Sequence, residues 1–133
     1  MQDTFALTFQ DSARTRVMGI LNVTPDSFYD GGRYYDSSRA LAHAQQLAAD
    51  GAHVIDVGAE SSRPGAEPIT LEEELRRALP AVNAAVATGL PVSIDTWRSE
   101  TARQALSCGA VMVNDITGLR GDDALASVIA EHG

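Results

Sequence analysis

Four short apolar runs recur along the chain, and each is nearly continuous instead of alternating with polar residues. They occupy residues 16–22, 53–58, 91–96 and 111–115. Parallel strands that are covered on both faces carry continuous runs of this kind, whereas half-exposed strands alternate. The pattern therefore predicts four parallel strands.

Segments with apolar residues at helical spacing separate the runs, and each ends at a glycine. The predicted helices span residues 37–50, 70–88, 100–108 and 122–132, followed by Gly51, Gly89, Gly109 and Gly133. Thr70-Leu-Glu-Glu73 is a capping box at the start of the second helix, and Pro80 is expected to kink or divide that helix. The alternation predicts an α/β fold of four β–α units with right-handed crossovers.

A polar residue stands in or near the C-terminal end of every predicted strand. These residues are Asn22, Asp56, Asp95 and the pair Asn114 and Asp115. Parallel strands bring such ends to one side of the sheet, which is where α/β proteins bind their ligands. Any one of these residues is also compatible with a turn or a helix cap, but their recurrence on all four strands favours a site.

Two long segments follow the first two strands. Residues 22–32 combine a proline, two glycines, two aromatic residues and two acids, which is typical of a binding loop. Residues 58–66 contain Ser61, Ser62 and Arg63, whose hydroxyls and guanidinium are suited to an anionic group. Taken alone, the second segment is equally compatible with a solvated turn.

Composition narrows the function classes. The 133 residues carry 10 Lys and Arg against 18 Asp and Glu, a net charge of −8, which disfavours binding to a nucleic-acid backbone. There is no signal-peptide pattern and no run of 18 apolar residues, so we expect a cytoplasmic protein without a membrane span. No phosphate-binding P-loop motif occurs, the three histidines lack metal-ligand spacing, and the one cysteine, Cys108, is expected to be a buried thiol.

Two long motifs and two short ones resemble the dihydropteroate synthase family. The long ones are Val17-Met-Gly-Ile-Leu-Asn-Val-Thr-Pro-Asp-Ser-Phe-Tyr-Asp-Gly-Gly32 and Gly51-Ala-His-Val-Ile-Asp-Val-Gly-Ala-Glu-Ser-Ser-Arg-Pro-Gly65. The short ones, Val92-Ser-Ile-Asp-Thr96 and Val113-Asn-Asp115, follow in the family's order, so the resemblance extends from about residue 14 to the end. It implies a TIM barrel that condenses p-aminobenzoate with a dihydropterin pyrophosphate to form dihydropteroate.

The resemblance also implies roles for individual residues. Asn22 matches a residue that helps to hold Mg²⁺ and pyrophosphate, and Ser62, Asp95 and Asn114 match residues that bind the pterin. The loop positions that shape the p-aminobenzoate and pyrophosphate pockets are Phe28, Ser62, Arg63 and Pro64. Asp95 and Asp30 are the expected catalytic residues, stabilising positive charge on the pterin methylene.

One position departs from the family pattern. Ala59 stands where glycine is usual, which costs loop freedom if the backbone there needs a positive φ. Ser62 replaces a usual threonine and keeps the hydroxyl.

Two other functions compete with the synthase. A pterin-binding methyltransferase domain that passes a folate methyl group to a corrinoid shares the barrel and the strand-end residues, but it has no pyrophosphate to hold. A non-catalytic module of flavodoxin-like shape would suit a chain of this length.

The length itself favours the barrel. Four units in 133 residues correspond to about 33 each, so the eight units of a TIM barrel need about 266. We therefore expect the N-terminal half of a barrel, truncated at its C-terminus and inactive by itself, from a protein that is homodimeric when full length.

Overall fold

Each of the four predicted apolar runs forms a β-strand. The computed structural model describes residues 13–24, 29–30, 34–61 and 63–133. The strands are β1 (Met18–Asn22), β2 (Tyr29–Asp30), β3 (Tyr34–Tyr35), β4 (Val54–Gly58), β5 (Val92–Asp95) and β6 (Met112–Asn114). The helices are α1 (Ser37–Ala49), α2 (Leu71–Val86), α3 (Ser99–Ser107) and α4 (Leu125–Glu131). No helix within the described ranges has the length and apolar character that crossing a membrane requires.

The main sheet is parallel, and its strands lie side by side in chain order. β1 pairs with β4, β4 with β5, and β5 with β6, while β2 and β3 form a separate antiparallel hairpin that the sequence pattern did not predict. Consecutive β–α units of a TIM barrel add strands in this sequential order, whereas a flavodoxin-like sheet places its second strand outside the first. The structure thus confirms the predicted α/β class, and the flavodoxin-like alternative is wrong in its strand order.

The two faces of the sheet differ in what covers them. One face carries Leu21, Ile55, Val57 and Ile94, which are fully buried against small residues of the helices, mainly alanines of α1 and α2. We call the opposite face of the sheet the inner face. It consists of Met18, Ile20, Asn22, Val54, Asp56, Gly58, Ser93, Asp95, Met112 and Asn114. Met18 and Ile20 are exposed on that face, so β1 alternates in burial and is not covered on both sides as its apolar run predicts.

Several element boundaries differ from the predictions for local reasons. Pro80 does not divide α2, which runs without a break from Leu71 to Val86. The fourth helix begins at Leu125 and not at residue 122, because the Asp122 carboxylate accepts hydrogen bonds from the backbone N–H groups of Ser99 (2.8 Å) and Ala124 (3.0 Å). The capping box is half formed: Thr70 accepts from the Glu73 N–H, whereas the Glu73 carboxylate pairs with Arg76 and Arg77.

The glycines that follow the helices behave as predicted. Gly51 and Gly109 have φ values of +101° and +109°, a region that glycine enters without steric penalty, and each redirects the chain from a helix into the next strand. Cys108 immediately precedes the second of these turns and packs against the core, but it is only partly buried and not buried as predicted.

Candidate functional site

The ends of the four parallel strands form one row of residues across the inner face. The strand register places Asn22 opposite Gly58, Gly58 opposite Asp95, and Asp95 opposite Asn114. A Cβ atom added to Gly58 would lie 3.7 Å from Asn22 Oδ1 and 3.5 Å from Asp95 Oδ2. The lack of a side chain at Gly58 therefore leaves the space between these two groups open. Three of the residues predicted for the site are brought together in this row.

Asp56 lies on the same face, two residues before Gly58, and is buried. Its Oδ2 accepts a hydrogen bond from Asn114 Nδ2 at 3.1 Å, and because a carboxylate only accepts, this contact determines which way the Asn114 amide points. The other oxygen, Oδ1, is buried without a partner among the described residues, and so is Oγ of Ser93, the register neighbour of Asp56 on β5. A buried polar atom without a hydrogen-bond partner destabilises the fold unless water or a ligand provides one. This part of the inner face is therefore suited to bind polar groups.

Asp95 has a perturbed acidity. Burial and, to a smaller extent, the neighbouring carboxylates of Asp56, Glu74, Asp115 and Glu60 together raise the pKa of its carboxyl from 3.8 to about 6. A ligand that brings N–H donors or positive charge strongly stabilises the ionised form of a carboxylate that has little hydration and several negative neighbours.

Asp115 does not join the row, although it directly follows Asn114. Its carboxylate accepts from the backbone N–H groups of Thr117 (2.8 Å) and Leu119 (2.7 Å) and from the Thr117 hydroxyl (2.9 Å). These hydrogen bonds outweigh the effect of burial and lower the pKa of Asp115. They also stabilise the turn in which Leu119 adopts a φ of +66°. Asp115 is thus a turn-forming residue, which corrects the prediction that it converges with the others.

Two adjoining cavities open beside the row. The first, of about 410 Å³, is lined by Asn22, Thr24, Gly58, Ala59, Glu60, Ser61, Arg63 and Asp95. The second, of about 260 Å³, is lined by Glu60, Ser61, Glu74, Asp95, Thr96, Trp97, Ile116 and Thr117. Because Glu60, Ser61 and Asp95 border both, a ligand with two chemically different ends can contact Asp95 between them.

The second loop, residues 59–70, contributes Arg63, the one cationic side chain among the described residues that line either cavity. Arg63 is exposed and makes no ion pair with another described residue, so its guanidinium is available for an anionic ligand. Pro64 is exposed at the tip of the same loop. Ala59 is buried, and its φ is not positive, since Leu119 is the one non-glycine residue with a positive φ in the described ranges. The expected loss of loop freedom at Ala59 therefore does not arise.

Three of the predicted site residues fall wholly or partly outside the described residues. These are Phe28, Ser62 and the side chain of Asp30. The Asp30 backbone pairs with that of Tyr34 in the β2–β3 hairpin, between β1 and α1.

A buried ion-pair network beside the second cavity was not predicted. Glu74 of α2 is only 1% exposed, and it accepts from Arg98 Nη1 (2.6 Å), the Thr96 hydroxyl (2.6 Å) and the Thr101 hydroxyl (2.9 Å). A signal for it exists in the sequence, because Glu74 interrupts the apolar stripe formed by Leu71, Leu75 and Ala78. An acid on the core-facing side of a helix indicates a buried partner.

The side chains of the row were also compared with the needs of a bound metal ion. Within the part of the chain that the structure describes, no group of three or more His, Cys, Asp or Glu side chains is arranged to hold one. Magnesium, however, keeps several waters and is often held by one or two protein oxygens together with substrate phosphates. The exposed Asn22 amide beside the first cavity fits that arrangement, because its oxygen faces the open space at Gly58.

Comparison with known proteins gives a consistent result. The family model described as "Pterin binding enzyme" matches residues 18–133. The dihydropteroate synthase of Bacillus subtilis is 48% identical over 128 residues, which cover 96% of this chain and 44% of that protein. The Mycobacterium leprae enzyme of the same name is 49% identical over 121 residues, covering 91% and 43%. The chain thus spans less than half the length of these curated relatives.

Solved structures agree with the sequence relatives. Dihydropteroate synthase from Clostridium difficile, determined in the presence of pteroic acid, superposes with a TM-score of 0.83 at 47% identity, covering 90% of this chain and 46% of that one. The enzyme from Xanthomonas albilineans with 4-aminobenzoic acid gives a TM-score of 0.79 at 48% identity, covering 89% and 44%. The four β–α units therefore have the arrangement found in part of these larger structures.

Proposed function

The chain belongs to the pterin binding enzyme family, and from that premise we propose that the protein is a dihydropteroate synthase. It joins p-aminobenzoate to 6-hydroxymethyl-7,8-dihydropterin pyrophosphate and releases pyrophosphate. The observation that carries the proposal is the row of Asn22, Asp95 and Asn114 across the gap at Gly58, with the exposed Arg63 lining the adjoining cavity. The chain spans about 44% of the length of the Bacillus subtilis relative. The activity is therefore proposed for the full gene product and not for these 133 residues alone.

The inner face supports binding of the pterin. A pterin ring presents N–H donors along one edge, and the acceptors available for them are the Asp95 carboxylate and the oxygen of the Asn114 amide, whose nitrogen is held by Asp56. Ser62 is proposed to add a hydroxyl at this site. Binding of the donors by Asp95 lets its poorly hydrated carboxylate regain hydrogen bonds, so the ionised form becomes favourable.

The reaction proceeds by displacement at the pterin methylene carbon. The bond from this carbon to the pyrophosphate oxygen breaks, its electron pair leaves with pyrophosphate, and the amine nitrogen of p-aminobenzoate forms the new C–N bond and loses a proton. Positive charge develops on the methylene-pterin, and Asp95 and Asp30 stabilise it electrostatically. Phe28, Ser62, Arg63 and Pro64 orient the arylamine and the phosphates, so the protein acts by positioning and not by covalent catalysis.

Magnesium, when bound, neutralises charge on the leaving pyrophosphate. Asn22 is the residue of this chain proposed to hold it, through one amide oxygen. We expect Asn22→Ala to raise the Mg²⁺ concentration needed for half-maximal binding of the pterin pyrophosphate by at least about tenfold, since loss of an outer-shell partner alone often costs that much. Isothermal titration over a magnesium series measures this, and the pterin without its pyrophosphate serves as the control ligand. Equal magnesium dependence of the two proteins would contradict the assignment.

A condensation assay tests the proposed function. The full gene product is incubated with both substrates, and dihydropteroate and pyrophosphate are measured together. Their formation in equal amounts supports the synthase, whereas methyl transfer from a methylated folate to a corrinoid, without condensation, would support the methyltransferase alternative. The cytoplasmic location, expected from the lack of a signal-peptide pattern in this sequence, and the homodimeric state of the full-length protein remain predictions.

A further inference from the structure

We propose that Arg98 is a positioning residue that fixes both ends of the second loop (residues 59–70) and thereby sets the affinity of the site for p-aminobenzoate. The inference deepens the proposed synthase function and rests on it for the identity of the substrate. Arg98 itself lines neither cavity, so it acts through the loop and not by touching the ligand.

The contacts of the Arg98 side chain join three segments of the chain. Nη1 donates to Glu60 Oε2 at 3.1 Å, near the start of the loop, and Nη2 donates to the Ile69 carbonyl at 2.5 Å, near its end. Glu60 Oε1 in turn accepts from the Ile69 N–H at 3.3 Å, which links the two ends directly. Arg98 follows β5 by three residues, so the loop is attached to the strand that carries Asp95.

Glu74 also holds the guanidinium, through the same Nη1 that bonds Glu60. Its buried carboxylate bonds Arg98 at 2.6 Å and is itself held by the Thr96 and Thr101 hydroxyls. The guanidinium also lies over the Trp97 ring, 4.5 Å from its centre. The Arg98 side chain is 13% exposed, and the carboxylates of Glu60 and Glu74, the Ile69 carbonyl and the Trp97 ring surround its guanidinium.

The tip of the loop contrasts with its ends. Ser61, Arg63, Pro64 and Gly65 are exposed, and the hydrogen bonds described there lie within the tip, from Arg63 N–H to Ser61 Oγ (3.3 Å) and from the Ala66 N–H to the Arg63 carbonyl (3.1 Å). The position of Ser61 and Arg63 at the first cavity therefore depends on where the two loop ends are held.

Arginine is suited to this role in a way that lysine is not. A planar guanidinium can reach Glu60, Glu74 and the Ile69 carbonyl at once, whereas an ammonium is a single point and cannot stack on Trp97 in the same manner. One cation also separates two carboxylates that would otherwise repel each other across the loop end.

The test compares Arg98→Met and Arg98→Lys with Arg103→Met in the full gene product. Arg103 is a matched control because it is an exposed arginine that pairs with Glu131 (2.9 Å), away from both cavities. We expect Arg98→Met to raise the KM for p-aminobenzoate by about ten- to a hundredfold, as displacement of positioning groups typically does. The dissociation constant of the pterin, measured by isothermal titration, should change by less than about twofold. The KM of Arg98→Lys for p-aminobenzoate should lie between those of the wild type and Arg98→Met.

A second readout does not depend on catalysis. Hydrogen exchange of the amides in residues 59–70 is expected to accelerate in Arg98→Met but not in Arg103→Met, while exchange in β4 and β5 stays unchanged. Unchanged exchange in the loop would overturn the proposal whether or not the enzyme is a synthase. Parallel losses in pterin binding and arylamine KM would also overturn it, because they indicate a general structural defect. A wild-type protein without condensation activity would instead count against the proposed function alone.

Discussion

Replacement of Asp95 by Asn is expected to stabilise the fold while it removes the activity. Burial and four neighbouring carboxylates raise the pKa of Asp95 to about 6, so the ionised side chain is unfavourable in the empty site. The difference from 3.8 corresponds to at most about 3 kcal/mol. Solvent screening of this partly exposed carboxyl reduces the expected gain in the free energy of unfolding to about 1–2 kcal/mol at pH 7.5.

The pH dependence of this gain has a definite sign. Asp95 binds its proton more tightly in the folded chain than in the unfolded chain, so its contribution lowers the free energy of unfolding as pH rises from about 4 to about 6. Above that window the full penalty is present, and below it both states are protonated. Urea unfolding of the wild type and Asp95→Asn should therefore give curves that nearly coincide at pH 4 and separate at pH 7.5.

The turnover of Asp95→Asn is expected to fall although its stability rises. An amide cannot stabilise the developing positive charge, so kcat of the full gene product should fall by about a hundredfold or more. Asp115→Asn is the matched control. Hydrogen bonds from Thr117 and Leu119 lower the pKa of the Asp115 carboxyl, so replacing Asp115 should destabilise the chain at neutral pH. Full turnover by Asp95→Asn, or a variant less stable than the wild type at pH 7.5, would contradict this account.

The sheet and the strand-end row were predictable because both follow from periodicity. Continuous apolar runs identify the parallel strands, and parallel strands carry their C-terminal residues to one edge, so Asn22, Asp95 and Asn114 had to converge once the strands were placed. The substrate was not predictable in this way. It came from the motif resemblance, because hydrogen-bond donors and acceptors on a strand edge suit many polar ligands.

The errors have a common physical cause, which is that polar groups are bound by partners that the apolar pattern does not reveal, some of them distant in the chain and some of them local. Asp122 was predicted to begin the fourth helix, but its carboxylate accepts from the Ser99 N–H, 23 residues earlier. Asp115 looked like a member of the row, but three donors of its own loop bind it. The Glu74 network joins α2 to the end of β5 across 24 residues, and no local pattern specifies that partner. Such contacts become visible only when the fold brings the segments together.

Replacement of Glu74 by Ala is expected to cause the largest loss of stability in the chain. The carboxylate is almost completely buried, and its removal leaves the Thr96 and Thr101 hydroxyls without their acceptor and Arg98 without its closest charge partner. Removing one member of a buried ion pair typically costs about 3–5 kcal/mol. Because Arg98 retains Glu60 and the Ile69 carbonyl, we expect the free energy of unfolding to fall by about 3 kcal/mol, the lower end of that range.

Two further variants separate the charge from the space that the side chain fills. Glu74→Gln keeps the volume and one acceptor oxygen, so it should lose less than the alanine variant, by about 1–2 kcal/mol. Glu72→Ala is the matched control, because Glu72 is exposed on the same turn of α2 and should change stability by no more than about 0.5 kcal/mol. Urea unfolding at pH 7.5 measures all three. Equal effects of Glu72→Ala and Glu74→Ala would show that the network does not stabilise the fold. A large loss for Glu74→Ala, a smaller one for Glu74→Gln and almost none for Glu72→Ala would assign the stability to the contacts that also fix the second loop.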